Sequence, residues 1–407
     1  MKLRRANCRM AHPCVLTQRQ QRKIGWIPMS EPLLTLYGAP CSLYTAKVRS
    51  CLRKNAIPFQ ERFQSHPHYR EHVLPTARNH RIPVVELGDG AIIQDSTLIL
   101  DDLEMRFPSI SRTSGALRAV DLLVESFADR SLLKAAMHYR WNFPNENLAF
   151  IRGEFGRILR YADPSQWESA GMSIAGRMSA YLPPLGITAE SIPAIEGAYL
   201  KLLDALNAHF LHYPYLLGNA PSRADYGLMG PLYAHLGRDP YPVRIMQQRA
   251  PLVFRWVERM NASEHHSPEF PQTDNNHVSA AALPDTLVEV LRRVATEYVP
   301  EFQATMKAFK TWNASRTQLP AGAPVSEKGD QPSFGMIAYE LEGRTIHQAS
   351  GGHTLWMNQR VTDTFAALQH DEKAKTEAIF DKIGASPILS LKAPRRLSRL
   401  QNTLSLA

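Results

Sequence analysis

Cysteine is scarce in this chain. Four of the 407 residues are Cys, and Cys8 and Cys14 fall in the opening stretch, leaving Cys41 and Cys51 for the body. That excludes a disulfide framework and any Cys-x-x-Cys redox or zinc pair, and it fits a reducing, cytoplasmic setting. No run of about 18 apolar residues occurs, so no membrane span is expected. Acidic residues are missing from residues 1–28, which carry Lys2, Arg4, Arg5, Arg9, Arg19, Arg22 and Lys23. Without these, the net charge of +9 falls to +2, 40 basic against 38 acidic residues, and the body gives no electrostatic reason to expect nucleic acid as a partner. The stretch also lacks the apolar core of a signal peptide and the Ser-rich amphipathic pattern of a transit peptide. Residues 1–30 are therefore read as a basic leader, either a disordered tail or an over-extended start with translation from Met29. Metal-ligand spacing is absent too. His66, His68 and His72 have no Cys or carboxylate at ligand spacing and are read as a solvated helix face, so no metal is expected.

What is present is ordinary globular material, 44% hydrophobic and 21% charged, long enough for two or three domains. The stretch from Leu33 to Phe107 organises the rest. Thr35 to Tyr37 is a β-prone run stopped by Gly38 and Pro40. From Ser42 the period becomes helical: Tyr44, Val48, Cys51 and Leu52 share a face, with Lys47, Arg49, Arg53 and Lys54 on the others. Cys41-Ser42 thus sits at a strand-to-helix turn, where unpaired amides stabilise an anion. A second strand from Ile57 to Phe63 and a polar, helical segment from His66 to Arg78 follow. Arg81 to Leu87 and Ala91 to Ile93, joined through Gly88-Asp89-Gly90, read as a β-hairpin. Asp95 is an N-cap candidate for a helix bearing Leu98, Leu100, Leu103 and Met105. The order is β-α-β-α-β-β-α.

Tyr37-Gly38, Pro40, Ser42, Val48-Arg49, Ile82-Pro83-Val84 and Asp95-Ser96, in that order, resemble the amino-terminal domain of the cytosolic glutathione transferase superfamily. The resemblance implies a thioredoxin-like α/β domain followed by an all-α domain. It places the catalytic hydroxyl at Ser42, with Cys41 as the alternative, and makes the Ile82–Pro83 bond cis, so that the Ile82 backbone faces the cysteinyl group of glutathione. Asp95 and Ser96 would bind the γ-glutamyl end, and Arg81 would meet the glycyl carboxylate. Asn79-His80-Arg81 and the short Asp95 depart from the commoner family residues. The implied partners are glutathione, as co-substrate, and a hydrophobic electrophile, with detoxification as the setting and a homodimer as the usual assembly. The electrophile would lie near Met137, His138, Tyr139 and Trp141, although a packed helix end also explains that cluster.

Past Pro108 the pattern is helical. Helices are expected from about Leu117, over Asn147–Arg160 and Gln166–Tyr181, and from Pro193 to Phe210. Ser222 and Asp225 read as a capping box that serves folding. The sequence divides into a leader (1–30), a thioredoxin-like domain (31–109), a helical domain (110–262), a linker (263–284) and a mostly helical extension (285–407). The resemblance ends near residue 260. In the extension, Leu287, Val290, Leu291 and Val294, then Phe302, Met306 and Phe309, form apolar stripes that must be buried. Met336–Leu341 and Arg344–Ala349 are expected to pair around Glu342-Gly343, Gly351-Gly352-His353 reads as a turn, and Lys392 to Arg399 is basic with interspersed leucines. The extension is expected to be structural, without catalytic residues.

Three functions remain open at this stage. One is an enzyme that activates the glutathione thiolate against an electrophile. The second is a non-catalytic binding or assembly module on the same fold. The third is a glutathione-dependent thiol oxidoreductase that uses Cys41.

Overall fold

Four short strands near the start of the chain build one sheet. The computed structural model describes residues 34–264, 267–271, 274–325 and 333–407. The basic leader, parts of the expected linker and residues 326–332 lie outside the described residues. The first unit consists of β1 (Leu34–Tyr37), α1 (Leu43–Lys54), β2 (Gln60–Arg62), a π-turn (Tyr69–Val73) running into α2 (Leu74–Ala77), β3 (Val84–Leu87), β4 (Ile92–Gln94) and α3 (Ser96–Arg106). The sheet order is β2-β1-β3-β4. β1 runs parallel to β2 and antiparallel to β3, which is antiparallel to β4. The second strand is shorter than the run from Ile57 to Phe63, because the Ile57 amide donates to Leu52 O at 2.9 Å and ties that residue to the end of α1.

The second unit is all helical: α4 (Gly115–Arg130), α5 (Leu132–Trp141), α6 (Pro144–Leu159), α7 (Trp167–Ser179), α8 (Ile192–His209), α9 (Arg223–Ala234), α10 (Pro240–Arg249) and α11 (Pro251–Met260). The capping box starts α9. The Ser222 amide donates to Asp225 Oδ2 at 2.9 Å, while Oδ1 accepts from Leu216 N at 2.9 Å and Trp256 Nε1 at 3.1 Å. Asp225 is therefore a folding residue, and it joins three segments.

The extension comprises α12 (Asp285–Ala314), β5 (Met336–Leu341), β6 (Arg344–Ala349), α13 (Gly352–Ala367), α14 (His370–Lys382), α15 (Ser386–Ser390), β7 (Leu397–Leu400) and β8 (Thr403–Leu406). The two apolar stripes read before and after Pro300 lie on one 30-residue helix that continues through the proline. Leu287, Val290, Leu291, Val294, Phe302 and Phe309 are fully buried in the same core cluster as the helical domain. β5 and β6 pair in the expected register around Glu342 (φ 48°) and Gly343 (φ 73°), the positive-φ pair that suits a two-residue hairpin. The basic tail does more than the sequence suggests. It forms β7, which pairs with β8 through Gln401 and Asn402.

One expectation about α1 is corrected. Lys47, Arg49 and Lys54 do not lie on outer faces; all three are buried, and Arg53 alone of the four is exposed. Arg49 makes a two-pronged contact with Glu61. Lys54 Nζ donates to Arg259 O at 3.0 Å, and burial brings its pKa down to about 8. Lys47 Nζ lies 2.6 Å from Asp129 Oδ2 and 2.7 Å from Glu125 Oε1 on α4, and it donates to Thr97 Oγ1 on α3 at 3.0 Å. Burial opposes its charge, but the two carboxylates outweigh it and raise the pKa. Helical periodicity reports which residues share a face. A charged face is buried when another element brings the opposite charge.

Removing one member of a buried charge cluster strands the others. Lys47→Met should therefore destabilise the protein by about 3–5 kcal/mol in urea denaturation, with the m-value unchanged. A loss under about 1 kcal/mol would mean that Asp129 finds water or a proton at little cost.

Candidate functional site

The sheet register brings three turns to one edge. Tyr37 at the end of β1 pairs with Val84 at the start of β3, and Val84 pairs with Gln94 at the end of β4. The residues one step beyond each are Gly38, Pro83 and Asp95, so the loop leading to Ser42, the Ile82–Pro83 bond and the start of α3 lie side by side. The Ile82–Pro83 bond is cis, as expected.

Gly38 is required by close approach: a Cβ there would sit 2.2 Å from Thr45 Cγ2. The turn that follows delivers Ser42 as the N-cap of α1, its Oγ accepting from the Thr45 amide at 3.3 Å. The bond uses an acceptor lone pair, and no acceptor for the hydroxyl proton is found among the described residues. Cys41, one residue earlier, is buried, whereas Ser42 is half-buried. Cys41 is 5% exposed and packs with Ala39, Ile158, Phe63, Ile82 and Phe155. Burial pushes its thiol pKa up, although Arg140 and Arg238 act against that. Arg140 also braces the turn. Its Nη1 donates to Cys41 O at 2.9 Å, while Nε and Nη2 grip the Asp239 carboxylate at 2.6 and 2.9 Å. No sequence signal links Arg140 to Asp239, since they lie on different elements and at no motif spacing.

Asp95 holds an unusual backbone conformation, φ 90° and ψ 126°, of the kind that costs about 1–3 kcal/mol and persists where its surroundings enforce it. Its Oδ1 accepts from Thr97 N at 2.9 Å and Leu98 N at 3.4 Å, capping α3. Ser96 begins that helix and is 4% exposed. Arg81 is exposed, its amide held by Asn79 Oδ1 at 2.9 Å. Its guanidinium is within electrostatic reach of the Tyr44 hydroxyl.

Two further residues come from the extension. Arg399 on β7 has Nη1 at 3.5 Å from Asp95 Oδ2 and donates from Nη2 to Gln94 Oε1 at 3.0 Å. His353, in the first turn of α13, stacks obliquely on Trp356, with ring centroids 5.0 Å apart. Burial holds Asp95 up, but nearby positive charge, Arg399 and Lys47 included, outweighs it and lowers its pKa. Burial takes His353 down to about 3, so the imidazole is neutral. The extension thus meets the thioredoxin-like unit as well as the helical domain, through the Arg399 side chain at Gln94 and Asp95.

The cluster expected to border an electrophile is packed interior. Met137 and Tyr139 are 4% and 2% exposed. His138 Nε2 meets Glu196 Oε1 at 2.9 Å, and Trp141 stacks on Phe155 at 6.2 Å. An open cavity of about 630 Å³ lies instead between the β2–α2 loop and the end of α6. Arg62, Phe63, His66, Arg70, Arg160 and Tyr161 line it, and Phe63 also packs against the cluster around Cys41. No group of three or more His, Cys, Asp or Glu among the described residues is arranged to hold a metal. His68 Nε2 instead meets Glu86 Oε1 at 2.9 Å.

A thioredoxin-like unit with a cis proline beside a helix-capping Ser and a helix-capping Asp, followed by an all-helical domain, defines the two-domain fold of the glutathione transferase superfamily. Residues 36–111 match the family model for the glutathione S-transferase amino-terminal domain, and residues 174–264 match the carboxy-terminal domain. The chain thus carries the glutathione transferase superfamily fold, with an extension past residue 264. Among solved structures, it is similar to a glutathione S-transferase from Rhodospirillum rubrum F11 (17% identity, 60% of this chain and 94% of that one, TM-score 0.34). It is similar also to the beta-etherase LigF from Sphingobium sp. strain SYK-6 (16%, 58% and 97%, TM-score 0.37). A third is a glutathione transferase homologue from Sulfitobacter with bound glutathione (19%, 57% and 95%, TM-score 0.30). No curated protein matches the chain.

The neutral His353 has a consequence in acid. An unfolded histidine binds a proton below about pH 6.5, whereas the folded one stays neutral until about pH 3. The unfolded state then holds more protons in that window, so stability falls as pH drops through it, at up to about 1.4 kcal/mol per pH unit for this group. The groups facing it are Asp95, Arg399, Arg130 and Lys47. Asp95, with its lowered pKa, adds a loss of the same sign below its ordinary range. His353→Gln should flatten the stability profile between pH 6.5 and 4.5; an unchanged slope in chemical denaturation would reject a neutral His353 in the folded state.

Proposed function

We propose that the chain is a glutathione transferase-like enzyme in which Ser42 stabilises the glutathione thiolate for attack on an electrophilic small molecule. The observation that carries this reading is the sheet register, which sets the Ser42 turn, the cis Ile82–Pro83 bond and Asp95-Ser96 along one edge. Free glutathione is mostly thiol at pH 7, because a thiol pKa is near 8.5, and the thiolate is the nucleophile. A hydroxyl at a helix amino end donates to sulfur where the helix field also favours negative charge. One charge-assisted hydrogen bond, worth about 1.5–3 kcal/mol, lowers the pKa by one to two units. The Ile82 backbone would hold the cysteinyl group, Arg81 the glycyl carboxylate, Asp95 the γ-glutamyl ammonium and Ser96 its carboxylate.

Ser42 is preferred over Cys41 because a thiol-exchange nucleophile must reach solvent as a thiolate, whereas Cys41 is buried and its pKa is raised. We place the electrophile in the cavity beside Phe63 and Tyr161 rather than at Met137–Trp141. The domain limits read from the sequence, the cytoplasmic setting, the role in detoxification and the homodimer belong to this same reading. The packed state of Met137–Trp141 favours a second one, a module that binds glutathione without turnover.

Binding of glutathione followed by turnover with 1-chloro-2,4-dinitrobenzene separates the two. In Ser42→Ala, kcat should fall about 10- to 100-fold and the pKa of the bound thiol should rise by one to two units, with Kd for glutathione changed much less. Cys41→Ser should be mild. Dependence on Cys41 with indifference to Ser42 would move the assignment to thiol exchange, and binding without any turnover would favour the module.

A further inference from the structure

We infer that Arg399, from the carboxy-terminal hairpin, is the carboxylate-binding residue of an amino-acid subsite whose ammonium partner is Asp95. The inference rests on the glutathione reading above and assigns half of the γ-glutamyl pocket to the extension.

The hairpin is held without Arg399. Leu397, Leu404 and Leu406 are buried, at 3%, 4% and 0% exposed. Gln359 on α13 pairs with both backbone groups of Leu397, at 2.9 and 3.0 Å. At the hairpin turn, Asn402 Nδ2 donates to Ala77 O at 2.8 Å, and Gln401 meets Arg78. The hairpin is therefore fixed between α13 and the end of α2, and the Arg399 side chain reaches Gln94 and Asp95. Trp356 lies beneath the guanidinium, 5.8 Å away, which limits its movement.

The Arg399–Asp95 salt bridge is long. Charge-assisted N–H···O bonds run at about 2.7–2.9 Å, whereas Nη1 stands 3.5 Å from Oδ2. Arg399 Nε is buried and has no hydrogen-bond partner. On the other side, Asp95 spends Oδ1 on the amides of Thr97 and Leu98, and Oδ2 accepts no hydrogen bond from any described residue. The two side chains are 11% and 13% exposed. An unmet donor and an unmet acceptor thus sit on two neighbouring side chains that reach little water, where neither is well served by solvent.

An α-amino acid terminus is complementary to this arrangement, since it carries an ammonium and a carboxylate on one carbon. The ammonium donates to Asp95 Oδ2. The carboxylate accepts from Arg399 and from the first residue of α3, Ser96. His353 is neutral and adds no competing charge. The γ-glutamyl group of glutathione ends in such a terminus, so the extension would complete the co-substrate site.

Calorimetry on the full chain tests this with three ligands: glutathione, 4-aminobutyryl-Cys-Gly, which lacks only the α-carboxylate, and glutaryl-Cys-Gly, which lacks only the ammonium. The wild type should prefer glutathione over 4-aminobutyryl-Cys-Gly by more than about tenfold, one charge-assisted contact from Arg399 plus the Ser96 contact. Arg399→Ala should cut that preference about tenfold, to the share that Ser96 supplies, while binding 4-aminobutyryl-Cys-Gly as the wild type does, and Arg399→Gln should do the same with a milder effect on melting temperature. Asp95→Asn should erase the preference over glutaryl-Cys-Gly instead. Equal weakening toward all ligands would give Arg399 a structural role only, and tighter glutathione binding by Arg399→Ala would make the guanidinium a plug; either result overturns the inference. If the arginine variants do not fold, the wild type decides: equal affinity for glutathione and 4-aminobutyryl-Cys-Gly rejects a carboxylate contact. A folded wild type that binds none of the three, with Arg399→Ala equally silent, removes the glutathione reading and this inference together.

Discussion

A cluster of charges buried between α1, α3, α4, α9 and α13 holds the molecule in register. Glu125 is at its centre and is fully buried. It meets Lys47 at 2.7 Å, Arg223 at 3.1 Å and Arg360 at 2.8 Å. Asp101 joins Arg223 and Arg360, at 2.5 and 2.6 Å, and Asp129 takes Lys47. Burial raises the energy of every charge here, yet three cations around one carboxylate keep the Glu125 pKa well below its usual range. Asp129, with fewer partners and Glu125 nearby, is pushed by burial up to about 6. Apolar helix faces can slide past one another at modest cost, whereas a buried ion cluster tolerates one geometry, so its clearest contribution is to register.

The site depends on that register. The same Thr97 that accepts from Lys47 donates its amide to Asp95, and its carbonyl accepts from Arg223 at 2.9 Å. The start of α3, the body of α1 and the first turn of α9 are thereby locked together. α13 enters through Arg360, which carries His353 and Trp356 to the same corner. Arg140 does the comparable work on the other side, fixing the Cys41 carbonyl to α5 and to Asp239. The side chains that would handle a ligand are few, and most of the polar interior serves to aim them.

Much of the amino-terminal unit was legible in its turn chemistry. Gly38, Pro40, Pro83 and Asp95 each mark a place where only a few residue types fit the backbone, and the period changes at Ser42. The capping box at Ser222 and Asp225 and the hairpin at Glu342-Gly343 were legible for the same reason: both are local. The burial of Lys47, Arg49 and Lys54 was not. Their partners lie on other elements, and a lysine on a helix looks the same whether water or a carboxylate meets it. The Met137–Trp141 cluster was legible as aromatic and apolar, but its closure depends on Glu196, Phe155 and Tyr199, which arrive from α8 and α6.

Resemblance to the glutathione transferases implied the thioredoxin-like start and the cis bond at Pro83; the sequence by itself determined the order of elements, the strand-to-helix turn at Ser42, the caps at Asp95 and Ser222, and the need to bury the stripes of residues 287–309. These follow from backbone preference and periodicity, which act within a few residues. Tertiary structure alone decided which charges are interior, that Cys41 faces the packed wall while Ser42 caps the helix, and that Arg399 stands 3.5 Å from Asp95 across 304 positions of chain. Such meetings depend on long-range packing and on the summed electrostatics of several elements, and no local pattern encodes them.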